Sequence, residues 1–394
     1  MGDNPPSSPI LDRRQRYRWI WAPLLIFAIT RLGIFLVAYV SAPLIADSQV
    51  PPYHIKPDNL LLDVFGSRWD TGFYLSIADE GYKYEDVQFP SVAFFPLFPL
   101  FIRLLTVFLG DSLISGVLIA NLALALAVIL FYRLIALEAD ERIATRAVWY
   151  LLIFPTSFFG SAIYTESLFL LVTIGAFFFY RKRFWESSAM FAFFAGLTRL
   201  MGLILAPALL VEWFTTKFSE PDRGRRKWLG LLPVIAVPVG TLSYMLYLEI
   251  KFKDALGFMT ASAAWERGPS SPLATMVNLL QRPGEGWLRA LLAGRIQTDN
   301  WMDFLFIVLF LFFGVALLIQ RRWSEAVFVL LGVFIPFSSG LLMSQRRYMW
   351  ILFPAFSLLA RWGENAWIDR LVTAFSLVGL GVYTAMFANW YWVG

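Results

Sequence analysis

The chain of 394 residues contains no cysteine and a single histidine. Without cysteine there is no disulfide framework, no thiolate nucleophile and no sulfur-based metal site. One imidazole, His54, leaves no zinc cluster and no histidine-centred triad. Charge is scarce as well. Asp, Glu, Lys and Arg make up 15% of the chain, against about a quarter in a soluble domain. With 58% hydrophobic residues, 38 Phe and 16 Trp, disorder and coiled coil are excluded. The net charge of +5 suits basic cytoplasmic loops, so no nucleic-acid partner is expected. What is abundant is long apolar sequence, and the composition implies an all-α polytopic membrane protein in a lipid bilayer.

A spanning helix needs about 20 apolar residues. The first such run covers residues 19–46, broken only by Arg31. The basic cluster Arg13-Arg14-Gln15-Arg16-Tyr17-Arg18 before it places the tail 1–18 in the cytoplasm, with no cleavable signal evident. A polar outer loop, 47–111, follows. Within it, residues 93–109 carry Pro96, Pro99 and Arg103 and are expected to lie in or dip into the interface. Further crossings are expected at 112–132, 147–164, 167–180, 228–248, 304–320, 326–344, 348–360 and 371–393, roughly nine in all. A second outer loop is expected at 249–303. Residues 187–198 and 200–211 are each about 12 residues, or about 18 Å of helix, too short to span. They read as two half-helices entering and leaving one side, with Arg199 at the buried tip and the basic loop 217–227 in the cytoplasm. One domain, 1–394, is expected.

Ionisable residues away from the cytoplasmic ends of a membrane chain are expensive and mark functional sites. On this topology Asp70, Glu80, Glu166, Arg199, Arg346 and Arg347 converge on the outer face. The last two break the positive-inside pattern, which a phosphate at that face explains, because an arginine fork matches phosphate oxygens. Each has a plainer role too. Asp70 stands where it would N-cap a short helix, Glu166 where it would favour a helix dipole. Arg199 can pair internally, and Arg346 and Arg347 can reach lipid headgroups.

The stretch Arg68-Trp69-Asp70-Thr71-Gly72-Phe73-Tyr74, continuing to Asp79-Glu80-Gly81-Tyr82, resembles the first-loop signature of the PIG-V-like mannosyltransferases. Three further stretches fit in order: Ala93-Phe94-Phe95-Pro96-Leu97-Phe98-Pro99-Leu100; Phe154-Pro155-Thr156-Ser157 with Tyr164-Thr165-Glu166-Ser167; and Leu197-Thr198-Arg199-Leu200. Arg347-Tyr348 followed by Phe353-Pro354 is a weaker fit. The resemblance implies a GT-C type integral membrane glycosyltransferase of the cell membrane, with its active site on the extracytoplasmic side. It further implies a polyprenyl-phosphate sugar donor, with mannose as the sugar, and a glycan, glycolipid or protein hydroxyl as acceptor. It places the catalytic base on Asp70 and substrate binding among Arg68, Trp69, Glu80, Tyr82, Tyr164, Glu166, Arg199, Arg346, Arg347 and Tyr348. The residue at Trp69 departs from the usual eukaryotic pattern, so the acceptor does not carry over.

The chemistry suits this inventory. A sugar hydroxyl is a weak nucleophile, and a carboxylate must take its proton during attack. The leaving phosphate needs positive charge as its own charge develops. No metal or other cofactor is required, although Asp70, Asp79, Glu80 and Glu166 could hold a divalent ion. Two rival readings are another GT-C branch moving glucose or arabinose, and a lipid-linked-sugar flippase. A transporter is expected to show related halves and a polar path at midplane, whereas the polar signatures here cluster at one face.

Overall fold

The computed structural model describes residues 16–48, 50, 57–219, 226–265, 267, 268, 270–280, 287–293 and 298–394. Among these residues all regular structure is helical. The principal helices are α1 (Arg18–Ser41), α2 (Leu60–Gly66), α3 (Thr71–Glu80), α4 (Leu97–Leu109), α5 (Ser112–Ile135), α6 (Glu141–Ile153), α7 (Glu166–Arg181), α8 (Trp185–Thr198), α9 (Leu205–Ser219) and α10 (Leu232–Phe252). They continue with α11 (Thr298–Ile319), α12 (Trp323–Phe337), α13 (Gln345–Trp350), α14 (Pro354–Trp362) and α15 (Ala366–Ala388). Local chemistry sets several starts. Asp111 accepts from the Ile114 N–H at 2.9 Å and Asp140 from that of Ile143 at 2.8 Å, capping α5 and α6. α4 begins at Leu97 rather than residue 93, because Ser91–Ala93 forms a separate 3-10 turn and the prolines fall at the helix start.

Five of the expected crossings are single helices long and apolar enough to span a bilayer: α1, α5, α10, α11 and α15. They turn leucines, valines and phenylalanines outward, including Leu36, Leu122, Phe312 and Phe375. This is an integral membrane protein. The other expected crossings are shorter than a full span. α6 is continued by the irregular segment 154–165, which is buried throughout. Irregular backbone at that depth must find its partners within the protein. Arg31 of α1 donates to the Leu152 and Ser157 carbonyls at 3.0 and 2.8 Å, and Ser167 donates to the Gly160 carbonyl at 2.7 Å. Asn121 and Ser161 bond to each other, and the Ile163 N–H donates to the Phe65 carbonyl. The arginine that interrupts the first apolar run thus holds the segment that carries Tyr164 and Glu166.

The chain reverses between α8 and α9, and Arg199 is the extended residue at the bend. The reversal is tight: a Cβ at Gly202 would lie 2.1 Å from the Ala195 carbonyl oxygen, so only glycine fits. α7, α8 and α9 therefore all run between the level of Arg199 and the opposite end of the bundle, where Arg181 meets Glu212. His54, Arg13 to Gln15 and Arg223 to Arg225 lie outside the described residues.

Candidate active site

The α2–α3 turn presents Asp70. Arg68 is buried beneath it, donating to Asp63 at 2.6 Å with its guanidinium 4.2 Å from the Trp390 ring. Trp69 adopts a left-handed φ of 54°, a conformation that costs a bulky residue free energy and clusters at functional sites. Its ring is wedged edge-on against Trp390 and Trp392 at 5.7 and 5.3 Å. The carboxylate of Asp70, next in the chain, makes no capping bond to α3. Its oxygen meets a guanidinium nitrogen of Arg347 at 3.2 Å, and its N–H donates to the Tyr164 hydroxyl at 3.3 Å.

Glu166 opens α7 with its side chain 1% exposed, and one oxygen receives Arg199 at 3.2 Å while Arg347 lies at 3.6 Å. Its second oxygen, and one terminal nitrogen of Arg199, are buried with no hydrogen-bond partner. Arg347 therefore bridges two carboxylates. It is further enclosed by the rings of Tyr164, Phe159, Tyr348 and Trp392 at 5.2–5.4 Å. It sits on α13, which is only six residues long and follows Ser344, a second left-handed residue at φ 75°. The Ser344 hydroxyl donates to the Gly394 carbonyl at 2.8 Å, so the segment 389–394 braces both strained turns.

These groups face a cavity of about 820 Å³ whose lining includes Trp69, Asp70, Tyr164, Glu166, Arg199, Arg347 and Tyr348. Aromatic rings form much of its wall, with Phe73 stacked on Phe94 at 4.7 Å and Trp265 edge-on to both. The guanidiniums of Arg199, Arg267 and Arg347 surround the Tyr348 ring at 5.3–5.5 Å. Arg267, unremarked in the sequence, donates to the Tyr348 hydroxyl at 2.6 Å. Its signal was the one that singled out Arg346 and Arg347: an arginine outside the loops expected to be cytoplasmic. Trp265 and Trp392 left no such signal, since aromatics are common throughout this chain.

Four expected site residues lie elsewhere. Arg68 supports the turn from below, as described. Glu80 ends α3 ten residues from Asp70, is exposed and pairs with Lys83. Tyr82 sits behind the wall, donating to the Phe94 carbonyl at 2.8 Å and packing on Tyr244 and Tyr247. Arg346 points away from Arg347, as neighbours about 100° apart on a helix must. It meets Asp303 at 3.3 Å and the Tyr383 hydroxyl at 3.0 Å. Of the four carboxylates offered for a divalent ion, Asp70 and Glu166 meet at Arg347, while Glu80 pairs with Lys83 and Asp79 is at the surface bonded to Ser112. Among the described residues no group of three or more acidic or histidine ligands comes together.

The family model for mannosyltransferases of the PIG-V type matches residues 42–253. The chain is 34% identical over 183 residues to GPI alpha-1,6-mannosyltransferase 2 of Mus musculus, covering 42% of this chain and 36% of that protein. To the same enzyme of Rattus norvegicus it is 34% identical over 235 residues, covering 52% and 46%. The chain thus spans less than half the length of these relatives. Among solved structures it is similar to an Archaeoglobus fulgidus oligosaccharyltransferase tethered to an acceptor peptide, at 14% identity and a TM-score of 0.49, covering 97% of this chain and 56% of that one. It is similar to ArnT from Cupriavidus metallidurans bound to undecaprenyl phosphate at 15% identity and a TM-score of 0.49, covering 92% and 75%.

Proposed function

Because the chain belongs to the PIG-V mannosyltransferase family, we propose that it is an inverting glycosyltransferase that moves mannose from a polyprenyl phosphate to a hydroxyl acceptor. Its cavity opens to the extracytoplasmic side of the cell membrane. The observation that carries this reading is the carboxylate of Asp70, free of capping duty, at a cavity whose charged lining among the described residues is three guanidiniums against two carboxylates.

Asp70 takes the acceptor proton as the hydroxyl attacks C1 of the sugar. Glu166, with an oxygen unpartnered, orients substrate hydroxyls. Arg199 and Arg347 supply positive charge over the phosphate as the C1–O bond breaks and its electron pair stays on the phosphate oxygen. The Phe73, Phe94 and Trp265 rings give the sugar and the first isoprene units an apolar surface. One displacement with these groups inverts C1 and needs no covalent enzyme intermediate.

The test is incubation of purified protein with radiolabelled polyprenyl-phosphate mannose and a panel of hydroxyl acceptors. Transfer with inversion supports the reading. Transfer from a glucose or arabinose donor instead overturns the choice of sugar. Lipid movement across vesicles without transfer, at any acceptor, overturns the enzyme.

A further inference from the structure

Of the three guanidiniums at the cavity, two are committed to carboxylates. Arg347 bridges Asp70 and Glu166 at 3.2 and 3.6 Å and is boxed by four rings. Arg199 holds Glu166 at 3.2 Å. Arg267 pairs with no carboxylate among the described residues; its partner is the Tyr348 hydroxyl, at 2.6 Å. All three guanidiniums lie 5.3–5.5 Å from the Tyr348 ring. A cation with no carboxylate partner among the described residues, hydrogen-bonded to a hydroxyl, is an arrangement that an anionic oxygen completes.

Resting on the glycosyltransferase reading, we propose that Arg267 and the Tyr348 hydroxyl make the direct contact with the charged oxygens of the lipid phosphate. Arg347 is the clamp that fixes the two carboxylates, and with Arg199 it acts on the phosphate through its field. During transfer the C1–O bond breaks with its electrons going to the phosphate oxygen, the acceptor oxygen bonds to C1, and its proton passes to Asp70. A phosphodiester carrying one negative charge becomes a monoester carrying nearly two at neutral pH. A contact made by Arg267 therefore strengthens as the reaction proceeds, and favours the product lipid over the donor.

That asymmetry is what the experiment reads. Arg267→Gln is expected to lower kcat/KM about ten- to a hundredfold, the loss of one charge-assisted hydrogen bond. It is expected to weaken inhibition by added polyprenyl phosphate by as much, while donor KM changes less. Tyr348→Phe is expected to give about two- to tenfold on the same two measures. A thermal unfolding profile like wild type is the control for fold. Should the Gln variant fail that control, Arg267→Lys keeps the charge without the fork and is expected to fall between the other two proteins. Inhibition and kcat/KM within twofold of wild type in the folded variants overturn the assignment and leave the glycosyltransferase reading standing. If wild type transfers no sugar from any polyprenyl phosphate, that reading falls. Direct binding of polyprenyl phosphate to wild type and variant then decides this one, with equal affinity overturning it.

Discussion

Two arginine–carboxylate clusters stand at opposite ends of α7, and they do different things. At the C-terminal end Arg181 reaches Glu138, Glu212 and Glu325 together, while Arg322 also binds Glu325 and Ser324 binds Glu212. At the N-terminal end Glu166, Arg199, Arg347 and Asp70 form a chain of similar length. The first draws α7, α9, α12 and the turn after α5 onto one guanidinium, and no residue of it lines the cavity. The second lines the cavity. Left-handed residues and unpartnered polar atoms occur at both ends, with Arg321 at φ 60° beside the first cluster and a nitrogen of Arg322 buried there without a hydrogen bond. Buried ion pairs are weak evidence for function or for stability. The accompanying cavity is what separates a site from a fastening.

The sharpest break in this comparison comes from Asp70→Asn. The amide is nearly isosteric, and the Asp70 carboxylate makes no cap for it to lose, so the unfolding temperature is expected to hold. The transfer rate is expected to fall about 10²–10⁴-fold, the contribution of a general base. Initial rates in one detergent, beside a thermal melt, check both halves. Retention of more than about a tenth of the rate would remove Asp70 from the role of base and move attention to Glu166.

Arg181→Gln at the other end is expected to show the reverse pattern. Removing one partner from a buried pair costs about 3–5 kcal/mol of stability, read as a lower melting temperature. The fraction that remains folded is expected to keep its donor KM. A stable Arg181→Gln protein with altered donor KM would erase the distinction between the two clusters.

Arg347→Lys tests the clamp. The charge survives, but an ammonium cannot bridge two carboxylates as a planar fork does, and a lost charge-assisted bond is worth about 1.5–3 kcal/mol. Lower kcat is expected, with Arg346→Lys milder in its effect on rate because Arg346 faces Asp303 and Tyr383 instead. Equal rates in the two variants would count against Arg347 as the organising residue.

The smallest effect is expected from Glu80→Gln. Glu80 is exposed and paired only with Lys83, and such surface changes fall within about 0.5 kcal/mol. Rates within about twofold of wild type are the expected result. A large loss would return Glu80 to the site.

Hydropathy is a local property, so the class of this protein and the places of α1, α5, α10, α11 and α15 could be read from the chain alone. So could the bend at Arg199, because two apolar runs too short to span are a fact of spacing. The sequence also brought Asp70, Glu166, Arg199 and Arg347 forward, since charge in an apolar chain needs a reason. Charge alone could not say which of Asp70, Asp79 and Glu80 faces the cavity; only the resemblance pointed to Asp70. That choice follows from the left-handed turn at Trp69, and the turn is held by Trp390 and Trp392, more than 300 residues away. Nor could it separate Arg346 from Arg347, because adjacent residues on a helix diverge and only the packing of α11 and α15 decides which one turns inward. Arg267 and Trp392 reach the cavity on segments whose path depends on contacts remote in the chain. Residue type and spacing carried the inventory; the direction of each side chain was set by what packs against it, and that only the folded protein supplies.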